Sequence, residues 1–144
     1  MQIEYKKEYS HNLGREMEFI RYGHSGKPVL VFPSQDGTCN QYEEFGMVNV
    51  LSDYIEQGRL QLFCVGSVDA ESWSDIYGDP RHRIEMQEKY FNYITNEFVP
   101  RIWDISWRND IIVTGCSMGG AHAGIAFFRR PDLFDTLISL SGMF

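Results

Sequence analysis

The sequence predicts an α/β fold of the three-layer αβα type, with a mainly parallel sheet and helices on both faces, in a single domain over residues 1–144. From residue 29 onward, short apolar runs alternate with segments of helical spacing. Such alternation with short connections favours right-handed crossovers, which make neighbouring strands parallel. A chain of 144 residues with 43% hydrophobic and 15% aromatic content is also large enough to bury one core.

The first elements are predicted to be strands. Residues 2–9 and 15–22 are polar–apolar mixtures separated by "HNLG", which predicts a β-hairpin. A second turn, "GHSGKP", leads into the apolar run at residues 29–32. We therefore expect three strands before the first helix.

The middle of the chain combines one helix with one strand. Apolar residues recur at helical spacing over residues 47–55, and Gly58 supplies a stop, which predicts an amphipathic helix. The run "LQLFCV" at residues 60–65 predicts the fourth strand. The apolar residues of the helix are Met47, Val50, Leu51, Tyr54 and Ile55.

The second half begins with a long helix. Asp79 is a suitable N-cap and Pro80 a suitable first residue. A strand at residues 111–115, a helix rich in small residues over 118–130, and a strand at 136–140 follow, with Pro131 ending the helix. The long helix is expected to face the core with Tyr90, Phe91, Ile94 and Phe98.

Composition and charge exclude several classes of protein. The formal net charge of -7 and the lack of a Lys/Arg cluster argue against a nucleic-acid partner. The polar N-terminus is unlike a signal peptide, and no apolar run approaches the roughly 20 residues of a membrane span, so no membrane association and a cytoplasmic location are expected. The widely spaced Cys39, Cys64 and Cys116 predict buried free thiols and no metal site.

The stretch "GCSMG" at residues 115–119 matches the pattern G-x-S-x-G between a predicted strand and a predicted helix. This is the context of a nucleophile elbow, a sharp turn that projects a serine hydroxyl above the sheet. Gly115 and Gly119 would remove β-carbons that collide across the turn. Ser117 is therefore the candidate nucleophile, and the amide of Met118 could stabilise an oxyanion. The alternative is a glycine-rich turn with an idle serine or a weak phosphate-binding loop.

The segments "GCSMGGAHA", "FRRPDLFD" and "LSG", in that order, resemble the esterase D-like family of esterases. The resemblance extends upstream through "GKPVLVFPSQDG" and "EEFGM", so it covers nearly the whole chain. Relatives in this family include S-formylglutathione hydrolases, feruloyl and acetyl esterases, and mycolyltransferases. The resemblance implies an α/β-hydrolase fold and serine-dependent transfer of the acyl group of a small-molecule ester, without a metal or organic cofactor. It also implies that the oxyanion hole is formed by Met118 and either Gln35 or Asp36.

The end of the chain departs from this family. Hydrolases of this fold present their catalytic triad in the order Ser, then Asp or Glu, then His. Only 27 residues follow Ser117, and they contain the carboxylates Asp132 and Asp135 and a single histidine, His122. The sequence thus resembles the N-terminal half of an esterase that lacks the C-terminal strands. We expect a homo-oligomer or a complementing C-terminal segment, with a non-catalytic assembly or binding module as the alternative function.

None of the four histidines is a good candidate for the missing base. His122 lies on the helix that follows Ser117, and its spacing directs the side chain away from the open side of the turn, so a structural role is favoured. His11 and His24 lie in predicted turns, and His82 lies in the first turn of a helix, where exposure to solvent is ordinary.

Polar residues after the fourth strand are a further candidate feature. They follow the strand at the edge of the sheet where α/β enzymes bind ligands. They either shape an acyl or leaving-group pocket or form an ordinary polar loop. These residues are Asp69, Glu71, Ser72 and Trp73.

Overall fold

A computed structural model describes residues 1–144. The strands of the chain form one six-stranded sheet. All six predicted strands are present, with ends within two residues of those expected. The order of the strands in the sheet is β1-β2-β4-β3-β5-β6. The strands are β1 (Ile3–Ser10), β2 (Arg15–Tyr22), β3 (Lys27–Phe32), β4 (Leu60–Val65), β5 (Ile111–Cys116) and β6 (Phe134–Leu140).

The strands β4, β3, β5 and β6 are parallel, whereas the β1–β2 hairpin joins the sheet antiparallel to β4. In the register of the sheet, Val31 of β3 is paired with Cys64 of β4, and Phe32 is paired with Gly115 of β5. The carboxyl ends of these three strands therefore meet at one edge. Loops that follow them are brought together there, as ligand-binding loops are in α/β folds.

The predicted helix over residues 47–55 is wrong in one respect, because the structure divides it into two short helices. The backbone at Leu51 (φ -90°, ψ 1°) interrupts regular α-helix between them, and Gly58 ends the second at φ 73°. None of the helices is long and apolar enough to cross a bilayer. The helices are α1 (Gln41–Glu44), α2 (Met47–Val50), α3 (Ser52–Glu56), α4 (Pro80–Tyr93), α5 (Val99–Ser106) and α6 (Met118–Arg129).

The long helix begins at Pro80, as predicted, but it is not regular throughout. Asp79 occupies the N-cap position without a side-chain capping bond. A π-helical segment, Ile94–Phe98, connects α4 to α5, which contains Pro100. Proline lacks an N–H and its ring crowds the carbonyl four residues earlier, so the wider π turn before Pro100 relieves this conflict.

Two apolar clusters on opposite faces of the sheet confirm the three-layer arrangement. Alternate residues of β3, β4 and β5 enter different clusters, as the pleat of a strand requires. The larger cluster contains 22 buried residues and joins Leu30 and Phe63 to α4, α5 and α6. The smaller cluster contains 9 buried residues and joins Val31 and Leu62 to α2 and α3.

The strand β6 forms one edge of the sheet and pairs only with β5. One face of the sheet is covered by α1–α3 at its central strands. On this face, Ile138 and Leu140 of β6 remain 45% and 38% exposed. The last residues pass beside α6, where the Phe144 ring lies close to Gly124. The edge of the sheet next to the candidate site is therefore apolar and open.

Candidate active site

Ser117 lies at the predicted turn between β5 and α6, and its backbone is strained. Its φ of 58° and ψ of -118° are rare for any residue with a β-carbon. The Ser117 N–H donates to the carbonyl of Leu140 (2.9 Å), and its own carbonyl accepts from Ala121 N–H (3.2 Å). These two hydrogen bonds hold Ser117 in a backbone conformation that an isolated peptide would not keep. The one hydrogen bond of the Oγ within the chain is to the Met143 sulfur, at 3.5 Å.

The glycines on either side of Ser117 are required by close backbone approach. A β-carbon at Gly115 would collide with the backbone of Gly119, including its carbonyl oxygen. A β-carbon at Gly119 would collide with the carbonyl oxygens of Phe32 and Pro33 at the end of β3. These are backbone atoms, which cannot move aside as a flexible side chain can. The elbow is thus packed directly against the chain that leaves β3.

Two backbone amides, one in α6 and one in the loop after β3, are available to an acceptor outside the chain. Met118 is the first residue of α6, so its N–H belongs to the turn that has no acceptor within the helix. The N–H of Asp36 donates to Asp69 Oδ2 at 3.2 Å, whereas the N–H of Gln35 makes no hydrogen bond within the chain. Of the two residues that the sequence left open, Gln35 is the one with a free amide.

The residues 34–37, here called the β3 loop, are held by side chains on both sides. Gln41 Oε1 accepts from the N–H and the hydroxyl of Ser34, at 2.7 and 2.9 Å. Gln35 Nε2 donates to Ser74 Oγ (2.8 Å), which donates to Asp36 Oδ1 (2.7 Å). The β3 loop is therefore fixed before any ligand binds.

His122 is buried in a polar pair and does not contact Ser117. Its Nε2 lies 2.9 Å from Asp69 Oδ1, and the two side chains are only 3% and 1% exposed. The ring packs against Phe32 and Tyr90, with centroid separations of 5.6 and 5.4 Å. This arrangement agrees with the structural role favoured by the sequence.

The other candidate acids and bases are also occupied elsewhere. Asp132 is paired with Arg130, and Asp135 is paired with Lys27. The three remaining histidines are exposed, on the β1–β2 turn, the β2–β3 turn and the first turn of α4. The 144 residues therefore bring no histidine to Ser117.

The residues 69–74, here called the β4 loop, divide among several roles. The sequence left open a pocket or an ordinary polar loop, and the Asp69 carboxylate lines no open pocket, because it is 1% exposed and hydrogen-bonded to His122 and the N–H of Asp36. The Arg15 guanidinium donates twice to Glu71 (3.0 and 2.8 Å) and lowers the pKa of that carboxyl.

Ser72 and Trp73 do line a cleft of about 280 Å³, together with residues of α4. Sequence reasoning missed the pairing of Asp69, since its partners are 53 and 33 residues away.

A parallel sheet covered on both faces, with a strained serine between a central strand and a close-packed helix, is the architecture of the α/β-hydrolases. Comparison with protein families identifies the family within this superfamily. Residues 10–144 match the family described as "Putative esterase", and the chain belongs to that family. No curated protein sequence matches the chain.

Solved structures of esterases share this fold. A ferulic acid esterase is 18% identical with a TM-score of 0.76, and the match covers 98% of this chain and 57% of that one. The S-formylglutathione hydrolase FrmB of Staphylococcus aureus is 17% identical with a TM-score of 0.71, covering 100% and 59%. That of Agrobacterium tumefaciens is 20% identical with a TM-score of 0.71, covering 94% and 56%. The chain thus spans less than three fifths of each of these relatives.

Proposed function

We propose that this chain carries the nucleophile and the oxyanion hole of a serine-dependent carboxylic-ester hydrolase. The observation that supports this most directly is the strained Ser117, which directly precedes the unpaired N–H at the start of α6. Gly119, two residues later, packs against the carbonyls of Phe32 and Pro33, which lead into the β3 loop with its free amide. A strained residue that the surrounding structure holds in place is typical of functional sites.

In the proposed reaction, Ser117 Oγ attacks the carbonyl carbon of the ester and loses its proton to a base. The carbonyl electron pair moves onto oxygen, where the amides of Met118 and Gln35 donate to it. When the intermediate collapses, the bond to the alcohol oxygen breaks, the alcohol leaves with a proton, and an acyl-enzyme remains on Ser117. Water then releases the acid and restores the hydroxyl.

The base for this reaction comes, in our proposal, from outside these 144 residues. The histidines of the chain are either buried with Asp69 or exposed on other elements, and none is hydrogen-bonded to Ser117. The open edge at β6 is where a complementing C-terminal segment or a second copy of the chain would add. The chain alone should keep only the part of catalysis that oxyanion binding provides, which is roughly 10³–10⁴-fold over water in enzymes that have lost triad members.

The substrate is proposed to be a small-molecule ester, with no metal or organic cofactor taking part. The relatives are named for ferulic acid and S-formylglutathione, which carry different acyl groups, so their names do not select one acyl group. The free thiols of Cys39, Cys64 and Cys116 suit the reducing cytoplasm, which is our proposed location.

Turnover of p-nitrophenyl acetate tests this proposal. We expect weak hydrolysis that saturates with substrate, and Ser117→Ala should remove the saturable part. Equal rates for the two proteins would contradict the assignment of Ser117. They would favour the second candidate, a non-catalytic assembly or binding module, which the absent base and the exposed Ile138 and Leu140 support.

A further inference from the structure

A continuous series of hydrogen bonds runs from the cleft beside α4 to the β3 loop. Trp73 Nε1 donates to Gln87 Oε1 at 3.1 Å, and Gln87 Nε2 lies 3.4 Å from His122 Nδ1. His122 Nε2 lies 2.9 Å from Asp69 Oδ1. Asp69 Oδ2 then accepts from the backbone N–H of Asp36 at 3.2 Å. The series therefore links four separate segments of the chain.

The donor and the acceptor of each hydrogen bond in the series follow from the indole of Trp73. An indole nitrogen can only donate, so the oxygen of the Gln87 amide faces Trp73 and its NH₂ faces His122. His122 Nδ1 must then accept, which places the single hydrogen of the neutral ring on Nε2. That hydrogen is donated to Asp69. Both nitrogens of His122 are thus engaged, and the ring cannot serve as a base for Ser117.

The carboxylate of Asp69 is the junction of this series. Its two oxygens accept from two different elements, helix α6 through His122 and the β3 loop through Asp36. A carboxylate that is 1% exposed depends on both donors, since a buried charge with a lost partner is strongly destabilising. Asp69 therefore connects the helix that begins after Ser117 with the loop that carries the second amide.

We propose that Asp69 is a positioning residue for acyl transfer, an inference that rests on the function proposed above. By accepting from Asp36 N–H, it fixes the peptide between Gln35 and Asp36, so that the neighbouring Gln35 amide stays free for the oxyanion. Through His122, it keeps that peptide in a constant place relative to the elbow. The hydroxyl of Ser74 also supports the β3 loop, because it is hydrogen-bonded to the side chains of Gln35 and Asp36.

Asp69→Asn tests this role, because an amide has one accepting oxygen and cannot satisfy both donors. The rate of acylation of Ser117 by p-nitrophenyl acetate, followed by intact mass, should fall by roughly ten- to a hundredfold, the scale of a misplacement of about 1 Å. The KM should stay within about twofold, since ground-state binding is not altered. Glu71→Gln is the matched control, because this carboxylate of the same loop pairs with Arg15 and should leave the rate unchanged.

A second measurement follows the hydrogen bonds themselves by NMR. In the unsubstituted chain, the Asp36 amide should exchange slowly with solvent, and the His122 ring nitrogens should show the neutral Nε2–H tautomer. Asp69→Asn should remove the protection of the Asp36 amide and leave the amides of β3 and β5 protected.

The possible results separate the two proposals. Acylation at the same rate in Asp69→Asn and the unsubstituted chain would overturn the positioning role. A rapidly exchanging Asp36 amide in the unsubstituted chain would also overturn it, even where the variant fails to fold. No acylation of the unsubstituted chain would overturn the proposed function instead, and amide exchange would still decide whether Asp69 fixes the β3 loop.

Discussion

The two sides of Ser117 are built very differently. On the side of the β3 loop, the backbone N–H groups of Ser34 and Asp36 and the side chains of residues 34–36 are hydrogen-bonded to neighbouring segments, and the supporting Asp69 is buried. On the hydroxyl side, the one hydrogen bond of Oγ is to the sulfur of Met143, a residue that is 54% exposed, and the adjoining edge of the sheet is open.

Under the function we propose, this difference separates two parts of ester hydrolysis in the structure. Stabilising the oxyanion needs amides fixed before the reaction, and loops after β3 and β5 can provide them within this chain. Removing the proton needs a histidine that is delivered to Oγ, and this chain has none in reach. We therefore expect substitutions to change stability strongly on the side of the β3 loop and weakly on the open side at β6.

The largest change in the free energy of unfolding is expected from Gly119→Val. This substitution places a larger side chain where the turn at Ser117 packs against the end of β3. Its β-carbon would collide with the carbonyl oxygens of Phe32 and Pro33, neither of which can move aside. We expect a loss of more than about 3 kcal/mol in the free energy of unfolding, or no folded protein. Urea denaturation measures this.

A matched control for that variant is Gly66→Ala, because the nearest atom to a β-carbon at Gly66 is the carbonyl oxygen of Glu18 at an ordinary 3.8 Å. This change should cost less than about 1 kcal/mol. Equal midpoints for Gly119→Val and Gly66→Ala would show that the elbow is not packed as described.

The next effect is expected from His122→Ala, which removes one donor from the buried carboxylate of Asp69. Breaking a buried pair by removing one partner leaves an uncompensated charge, at a cost of about 3 kcal/mol. The midpoint of urea denaturation should fall accordingly. His82→Ala, at an exposed site on α4, should leave the midpoint unchanged. A fully stable His122→Ala would mean that Asp69 does not depend on the pair.

Ser117→Gly should stabilise the fold while abolishing the reaction. Glycine adopts positive φ without the steric cost that Ser117 bears at φ 58°. Relief of this strain should raise the free energy of unfolding by about 1 kcal/mol. Ser117→Ala keeps the β-carbon and should not gain this stability. A Ser117→Gly protein no more stable than Ser117→Ala would indicate that the turn is relaxed.

The smallest effect on the folded chain is expected from Ile138→Lys on the open side. Ile138 is 45% exposed, so its replacement should change the free energy of unfolding by less than about 0.5 kcal/mol. The change should, however, disrupt association through the β6 edge, because exposed apolar edges invite pairing. Light scattering should show an oligomer for the unsubstituted chain and a smaller species for the variant. A monomer for both would contradict association through this edge.

The sequence was sufficient to predict the strands and the elbow because their signals are local. Alternation of apolar runs and turn residues defined all six strands, and the spacing of Gly115, Ser117 and Gly119 defined the turn. The division of the helix at Leu51 could not be predicted in this way. Its apolar residues keep helical spacing across the break, so periodicity carries no sign of it.

The contacts that fix the β3 loop could not be predicted either, since they join residues distant in the chain. Asp69 resembles any polar residue after a strand, and only the packing of α6 against β3 brings His122 to it. The choice between Gln35 and Asp36 depended on the hydrogen bond from Asp36 N–H to Asp69, because a free amide and a bonded amide are identical in sequence.

The most direct test of a nucleophilic Ser117 is intact-mass analysis after treatment with a fluorophosphonate probe, which reacts with serines that can form a stabilised oxyanion. The unsubstituted chain should gain one adduct, slowly because the base is absent, and peptide mapping should place it on Ser117. Ser117→Ala should gain none. An unsubstituted chain that gains no adduct, or an adduct of equal yield in Ser117→Ala, would contradict the claim that this chain carries a working nucleophile and oxyanion hole.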